Sequence, residues 1–230
     1  MIVYLALGAA FGAFGAYAYR LMPDKWLCDY GEAPTEIHSA QNRKLKAIYY
    51  LLFAAISAFA TMLAARDAVW TQSVFTAPLC CVLLMIAVAD AQYGILPNEL
   101  MIIAMIVGLP SAFRAEWYRP LLGALLSGGI CFAMLFIAGK MFKKDAVGMG
   151  DVRLAALAGF VCGYGALVPM AVTSICSAAL CFAVQMARHK LTMKSQAAFG
   201  PYLVFGILFS LCLKNEWQMV VDWYFHLLGI

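Results

Sequence analysis

Charge is what this sequence lacks. Asp, Glu, Lys and Arg make up 12% of its 230 residues, about half the share of an ordinary soluble domain. A soluble or disordered chain of this length needs far more, so both classes are excluded. The net charge of +4 is spread over many loops, and nucleic acid is not an expected partner. No C-x-x-C pair occurs, and all cysteines but Cys28 lie in apolar stretches. That excludes a disulfide scaffold and a zinc ribbon; the thiols read as small apolar groups packed between helices. There is no H-E-x-x-H, no phosphate loop of the G-x-x-x-x-G-K-[ST] kind, and no His or Lys at a readable spacing from Ser127 or Ser174. Zinc-peptidase, nucleotide-binding and serine-nucleophile chemistry have no carrier, and no metal is expected. His38, His189 and His226 are scattered and read as solvated or interfacial. No internal repeat is visible.

What the chain has is long apolar runs. It is 65% hydrophobic with a mean hydropathy of +0.85. The runs are continuous rather than alternating, which favours helices over a transmembrane barrel. The pattern predicts an all-α polytopic membrane protein of about eight transmembrane helices, in contact with lipid. Spans are expected at residues 2–21, 47–65, 73–89, 97–113, 120–142, a short one from 152, then 166–187 and 197–213. The first lacks a basic flank and a cleavage site, so it reads as a retained helix rather than a signal peptide. Pro110 is expected to break the fourth near its end. Residues 152–187 carry one charge, Arg153. At 1.5 Å per residue they would reach about 54 Å, far beyond a hydrocarbon core of about 30 Å. The stretch must reverse, and Gly163-Tyr164-Gly165 is the natural turn. Three regions follow: 1–72 with the first spans and a polar loop, 73–213 as the membrane core, and 214–230 as an interfacial tail anchored by Trp217, Trp223 and Tyr224.

The basic residues give an orientation. Arg20, Lys25, Arg43, Lys44, Lys46, Lys140, Lys143, Lys144, Arg153, Arg188, Lys190 and Lys194 fall on one side, and only Arg66, Arg114, Arg119 and Lys214 on the other. The first side is therefore expected to be cytoplasmic.

Few acids touch the apolar runs. Glu99 and Asp222 read as solvated, and Asp151 alone would read as a helix N-terminal acid favoured by the macrodipole. Asp90 and Asp151 together suggest more, because the topology puts both at the cytoplasmic face. Two carboxylates held about 3 Å apart share one proton, so one acts as base and the other as acid. The base activates a water and the acid protonates the carbonyl oxygen or leaving amine, which is peptide hydrolysis without metal or covalent intermediate. A shared proton also makes activity fall at alkaline pH, once both groups ionise. Gly148 and Gly150 leave room for close approach beside Asp151.

Three segments carry a resemblance. They are Gly148-Met149-Gly150-Asp151-Val152-Arg153 running on to Gly159, Asp90 followed by Pro97-Asn98, and Phe199-Gly200-Pro201-Tyr202. In this order they resemble the type IV prepilin peptidases, integral-membrane aspartic proteases of the G-x-G-D type. The resemblance implies that Asp90 and Asp151 are the catalytic pair, supported by Gly148, Gly150, Arg153, Pro97 and Asn98; the family usually has Lys where this chain has Arg153. It implies a prepilin or pseudopilin substrate, cut after a short basic leader at the cytoplasmic face of a bacterial-type inner membrane, in pilus biogenesis or protein secretion. The N-terminal part departs from the longer members. Gly12-Ala13-Phe14-Gly15-Ala16 and Arg20-Leu21-Met22-Pro23 stand where those have G-S-F-L-N and R-L-P, and the loop keeps only Cys28 of two C-x-x-C pairs. Proteolysis needs no cofactor; the family's second activity, N-methylation with S-adenosylmethionine, loses its four-cysteine loop, and binding of that cofactor stays open.

Two other readings compete. A small proton-coupled transporter would use Asp90 and Asp151 as relay groups, but it predicts acids near the midplane and two related halves. A structural assembly factor with a decayed site would have no task to justify two acids in apolar segments.

Overall fold

The computed structural model describes residues 1–27, 47–67, 70–112, 117–142, 148–188, 198–213, 216–217 and 219. The polar loop with Cys28, the three histidines, Lys143, Lys144, Lys190, Lys194 and Asp222 lie outside them, as does most of the interfacial tail. The described chain forms eight α-helices: α1 (Ile2–Leu21), α2 (Ala47–Asp67), α3 (Trp70–Tyr93), α4 (Asn98–Ala112), α5 (Tyr118–Phe142), α6 (Met149–Cys162), α7 (Leu167–Ala187) and α8 (Gly200–Cys212). There is no strand among the described residues. The protein is thus all-α and polytopic, as its hydropathy requires.

Five of these helices are long and apolar enough to cross a bilayer: α1, α2, α3, α5 and α7. The other three, of 15, 14 and 13 residues, extend only about 20–22 Å at 1.5 Å per residue. The expected eight spans are therefore five full-length helices and three short ones. Several boundaries also differ from expectation. Helix α3 does not stop before Asp90 but continues to Tyr93. Pro110 lies within α4, which runs on to Ala112; so close to a helix end the ring's fixed φ is already helical and only one hydrogen bond is lost.

The reversal at Gly163 is as the length argument demands. Gly163 adopts φ +76°, in the left-handed region that glycine enters without penalty. Its N–H closes α6 on Gly159 O at 2.9 Å, a short 3-10 turn spans Tyr164–Ala166, and α7 begins. Arg119 at the start of α5 sits 5.8 Å from the centre of the Tyr164 ring, so α5 begins at the end of the molecule where α6 finishes.

Helix α3 is the centre of the bundle. It packs against α1, α2, α4 and α8, while α6 packs against α4, α5 and α8. Leu79, Leu83, Ile86, Leu154, Val204 and Ile207 fill the interior between α3, α6 and α8. Large apolar residues such as Leu125 and Phe132 on α5 and Ile175 and Leu180 on α7 point outward, where lipid solvates them. Without a hydrophobic drive between helices in lipid, association depends on close packing of small residues. Gly123 on α5 and Gly159 on α6 show this: a Cβ on either would collide with the other's backbone. Ser127 Oγ donates to Ala155 O at 2.6 Å in the same seam. Gly159→Ala is expected to force α5 and α6 apart and to cost about 1–3 kcal/mol. A thermal midpoint in detergent unchanged from wild type would contradict this seam.

Candidate functional site

Each acid owes its place to a helix end. Asp90 lies three residues before the end of α3 and is 5% exposed. The Gly94 N–H donates to Asp90 O at 2.8 Å as the chain leaves the helix, with Gly94 at φ +67°. Residues 94–97 then turn into α4, whose first turn is closed by Met101 N–H on Pro97 O at 3.2 Å. Asp151 is the third residue of α6 and half-buried. Its Oδ2 accepts the Gly148 N–H at 3.3 Å, and its own N–H donates to Gly148 O at 3.0 Å. The acid therefore caps its helix, as the macrodipole argument anticipates.

The fold brings the two acids together. Leu96, in the turn that follows the helix of Asp90, lies against Gly150, the residue before Asp151, although the two acids stand on helices separated by the whole of α4 and α5. Cys131 on α5 is within the electrostatic reach of Asp151. The buried Oδ2 of Asp90 accepts the Gly200 N–H of α8 at 2.9 Å. Thus the end of α3 meets the N-termini of α4, α6 and α8 at one place. These are the three short helices, and two of them give a backbone N–H at their starts to an acid, α8 to Asp90 and α6 to Asp151.

The other residues named from the sequence lie near the two acids. Gly148 holds Asp151. Gly150 has Leu96 against it, and a Cβ there would lie 2.9 Å from Leu96 Cδ1. Pro97 is buried and starts α4. Arg153 Nη1 donates to Asn98 Oδ1 at 2.7 Å. Sequence reasoning found the Phe199-Gly200-Pro201-Tyr202 segment but gave Gly200 no role, and it predicted α1 without its contact beside Asp90. Tyr19, fully buried in α1, donates from its hydroxyl to Gln92 Oε1 at 2.9 Å, two residues beyond Asp90. No motif announces that bond.

Among the described residues no cluster of His, Cys, Asp and Glu has the arrangement of a metal site. An apolar groove of about 390 Å³ lies between α1, α3 and α4, with Phe14, Met22, Trp26, Met85 and Ile103 in its walls. It includes neither aspartate.

The class this arrangement defines is a membrane helix bundle with two interacting carboxylates at the ends of apolar helices. Comparison with known proteins narrows it. Residues 77–184 match the type IV leader peptidase family, a stretch that contains both aspartates and stops short of Gly200. The prepilin leader peptidase/N-methyltransferase of Xanthomonas campestris pv. campestris is 26% identical over 156 residues, 66% of this chain and 53% of that protein. Those of Escherichia coli and Bacillus subtilis are 26% and 28% identical over 136 and 135 residues, covering 57% and 56% of this chain and 59% and 51% of theirs. Over residues 77–184 the chain is thus similar to the type IV leader peptidase family, as it is to these three prepilin leader peptidases. It spans a little over half the length of these relatives. No solved structure matches it.

Proposed function

We propose that this chain is an aspartic endopeptidase that removes the leader peptide of type IV prepilins or pseudopilins at the cytoplasmic face of the membrane. The observation that carries the reading is the meeting of Asp90 and Asp151 at one end of the bundle. Each carboxylate has Oδ2 engaged by a backbone N–H, from Gly200 and Gly148 respectively. In this reading the second oxygen of each carboxylate is the one that meets substrate and water. One aspartate, ionised, takes a proton from water as the water attacks the scissile carbonyl carbon. The other, protonated, gives its proton to the carbonyl oxygen. The proton taken by the base then passes to the leaving amine as the C–N bond breaks, one hydroxyl of the gem-diol returns its proton to the aspartate that acted as acid, and the pair is singly protonated again.

The substrate class rests on the relatives, which are named as prepilin leader peptidases. The cytoplasmic placement rests on the excess of Lys and Arg on the side where α1 ends and α2 begins. Proteolysis in this scheme uses no cofactor. N-methylation is left out of the proposal, since residues 22–46 hold a single cysteine, Cys28, where a closed four-thiolate site needs four. The position of both acids at helix ends favours hydrolysis over a proton relay, which would want them near the midplane.

The test is a cleavage assay with purified protein in detergent. The substrate carries a basic leader, a glycine and an apolar helix, and products are read by mass spectrometry. A single cut at the leader junction is expected. No cut in any of several such substrates overturns the proposal.

A further inference from the structure

Two contacts join the same pair of chain segments beside the aspartates. Leu96 lies against Gly150, and Asn98 Oδ1 accepts a hydrogen bond from Arg153 Nη1 at 2.7 Å. Leu96 and Asn98 belong to the turn that leaves α3 just after Asp90 and to the first residue of α4. Gly150 and Arg153 flank Asp151 in the first turn of α6. The Leu96 contact is apolar and fixes how closely α6 can approach. The Asn98 contact is polar and exposed, and it reaches from one helix start to the other. Nothing in the chemistry proposed above uses Arg153 or Asn98 directly.

Two carboxylates close together repel once the shared proton is lost, so the helix ends that carry them are pushed apart. A tie across those ends opposes the push. We propose that the Asn98–Arg153 bond is a positioning clasp that sets the separation of Asp90 and Asp151. The inference rests on the peptidase reading of that pair. Arg153 and Asn98 are positioning residues in it and take no part in the proton transfers. Because a single N–H···O bond carries the clasp rather than a two-pronged one, a lysine at 153 has enough reach and a donor to replace it.

The experiment uses the full chain in detergent with the prepilin-like substrate, comparing wild type with Arg153→Ala, Asn98→Ala, the double variant and Arg153→Lys. Each alanine variant is expected to lower kcat about tenfold, since small misplacements of reacting groups carry large rate costs, with KM within about twofold. The double variant falls no further than either single one, because both remove the same interaction. Arg153→Lys keeps most of the activity. Wild-type kcat in the alanine variants, or losses that multiply in the double variant, would overturn the clasp. A rise in KM at constant kcat would also overturn it, and would make Arg153 a substrate contact. A second readout needs no turnover: amide hydrogen exchange over residues 148–153 without substrate. It is expected to quicken in both alanine variants and to stay as in wild type in Arg153→Lys; equal exchange in all four sinks the clasp. Should wild type cleave nothing, the peptidase reading fails while the exchange data still judge the clasp.

Discussion

Asp90→Asn and Asp151→Asn will each abolish measurable cleavage, and the double variant will be no worse than either. A positioned acid or base contributes about 10²–10⁴-fold, and here neither can work alone. With either one replaced, the single remaining carboxylate cannot supply both the base and the acid. Groups that act as one unit lose their whole contribution when the first is removed, so the losses do not add. Asn keeps the volume of Asp and an oxygen that can still accept from Gly200 or Gly148, so the bundle should fold as before. Removing one of two neighbouring carboxylates also relieves repulsion in an apolar surrounding, which sets the thermal midpoint in detergent at or above that of wild type. Cleavage rates and melting curves on the three variants check this together. Full activity in either single variant removes the pair from the mechanism, and losses that multiply would mean the two aspartates act separately.

Gly200→Ala will lower kcat by about 100-fold, the cost of misplacing a reacting group by an ångström or so. A Cβ on Gly200 would stand 2.5 Å from Asp90 Oδ2, 2.9 Å from Cγ and 3.2 Å from the aspartate Cβ. The atom in the way is the end of a side chain, not backbone, so the carboxylate yields while α8 keeps its seat. In yielding it loses the 2.9 Å bond from the Gly200 N–H, an interaction that anchors a buried charge. The expected signature is therefore a fall in kcat with little change in KM and only a modest shift in melting. A variant within threefold of wild type would show that Asp90 does not need this seat. The single methyl group makes the test specific, because the bulky alternatives would also disturb the contacts of α8 with α3 and α7.

Much of this was legible in the sequence, for reasons that differ by element. Helix α1 follows its apolar run from first residue to last, because membrane depth and helix length coincide there. The turn at Gly163 was forced by arithmetic: an apolar stretch too long for one crossing, with glycines near its middle. The acids were legible because charge in apolar sequence is rare, and their partnership because the Gly148–Arg153 segment carries a motif. Hydropathy reports where lipid is, though, and not where hydrogen bonding ends. It therefore stopped α3 before Asp90 and started α6 after Asp151, while both helices run past their acids into the polar zone. The same limit hid the shortness of α8, whose apolar run continues upstream of its first turn. The ties from Tyr19 to Gln92 and from Arg153 to Asn98 join residues more than fifty positions apart. No local pattern encodes such a pairing; only the packed bundle does.

Hydrolysis consumes a water molecule, and a bilayer interior holds almost none. The joint between α6 and α7 bears on how one arrives. The two helices meet at a turn of a few residues, so at that end they lie level. Helix α6 has 14 residues and α7 has 21, so for similar tilts the far end of α7 overhangs the start of α6 by about 10 Å. Asp151 is in the first turn of α6, at the bottom of that step. The start of α6, with Asp151, thus lies inside the level that the far end of α7 reaches. The water that the proposed hydrolysis consumes therefore reaches Asp151 along the exposed side of this step, where Gly148 and Met149 are open to solvent.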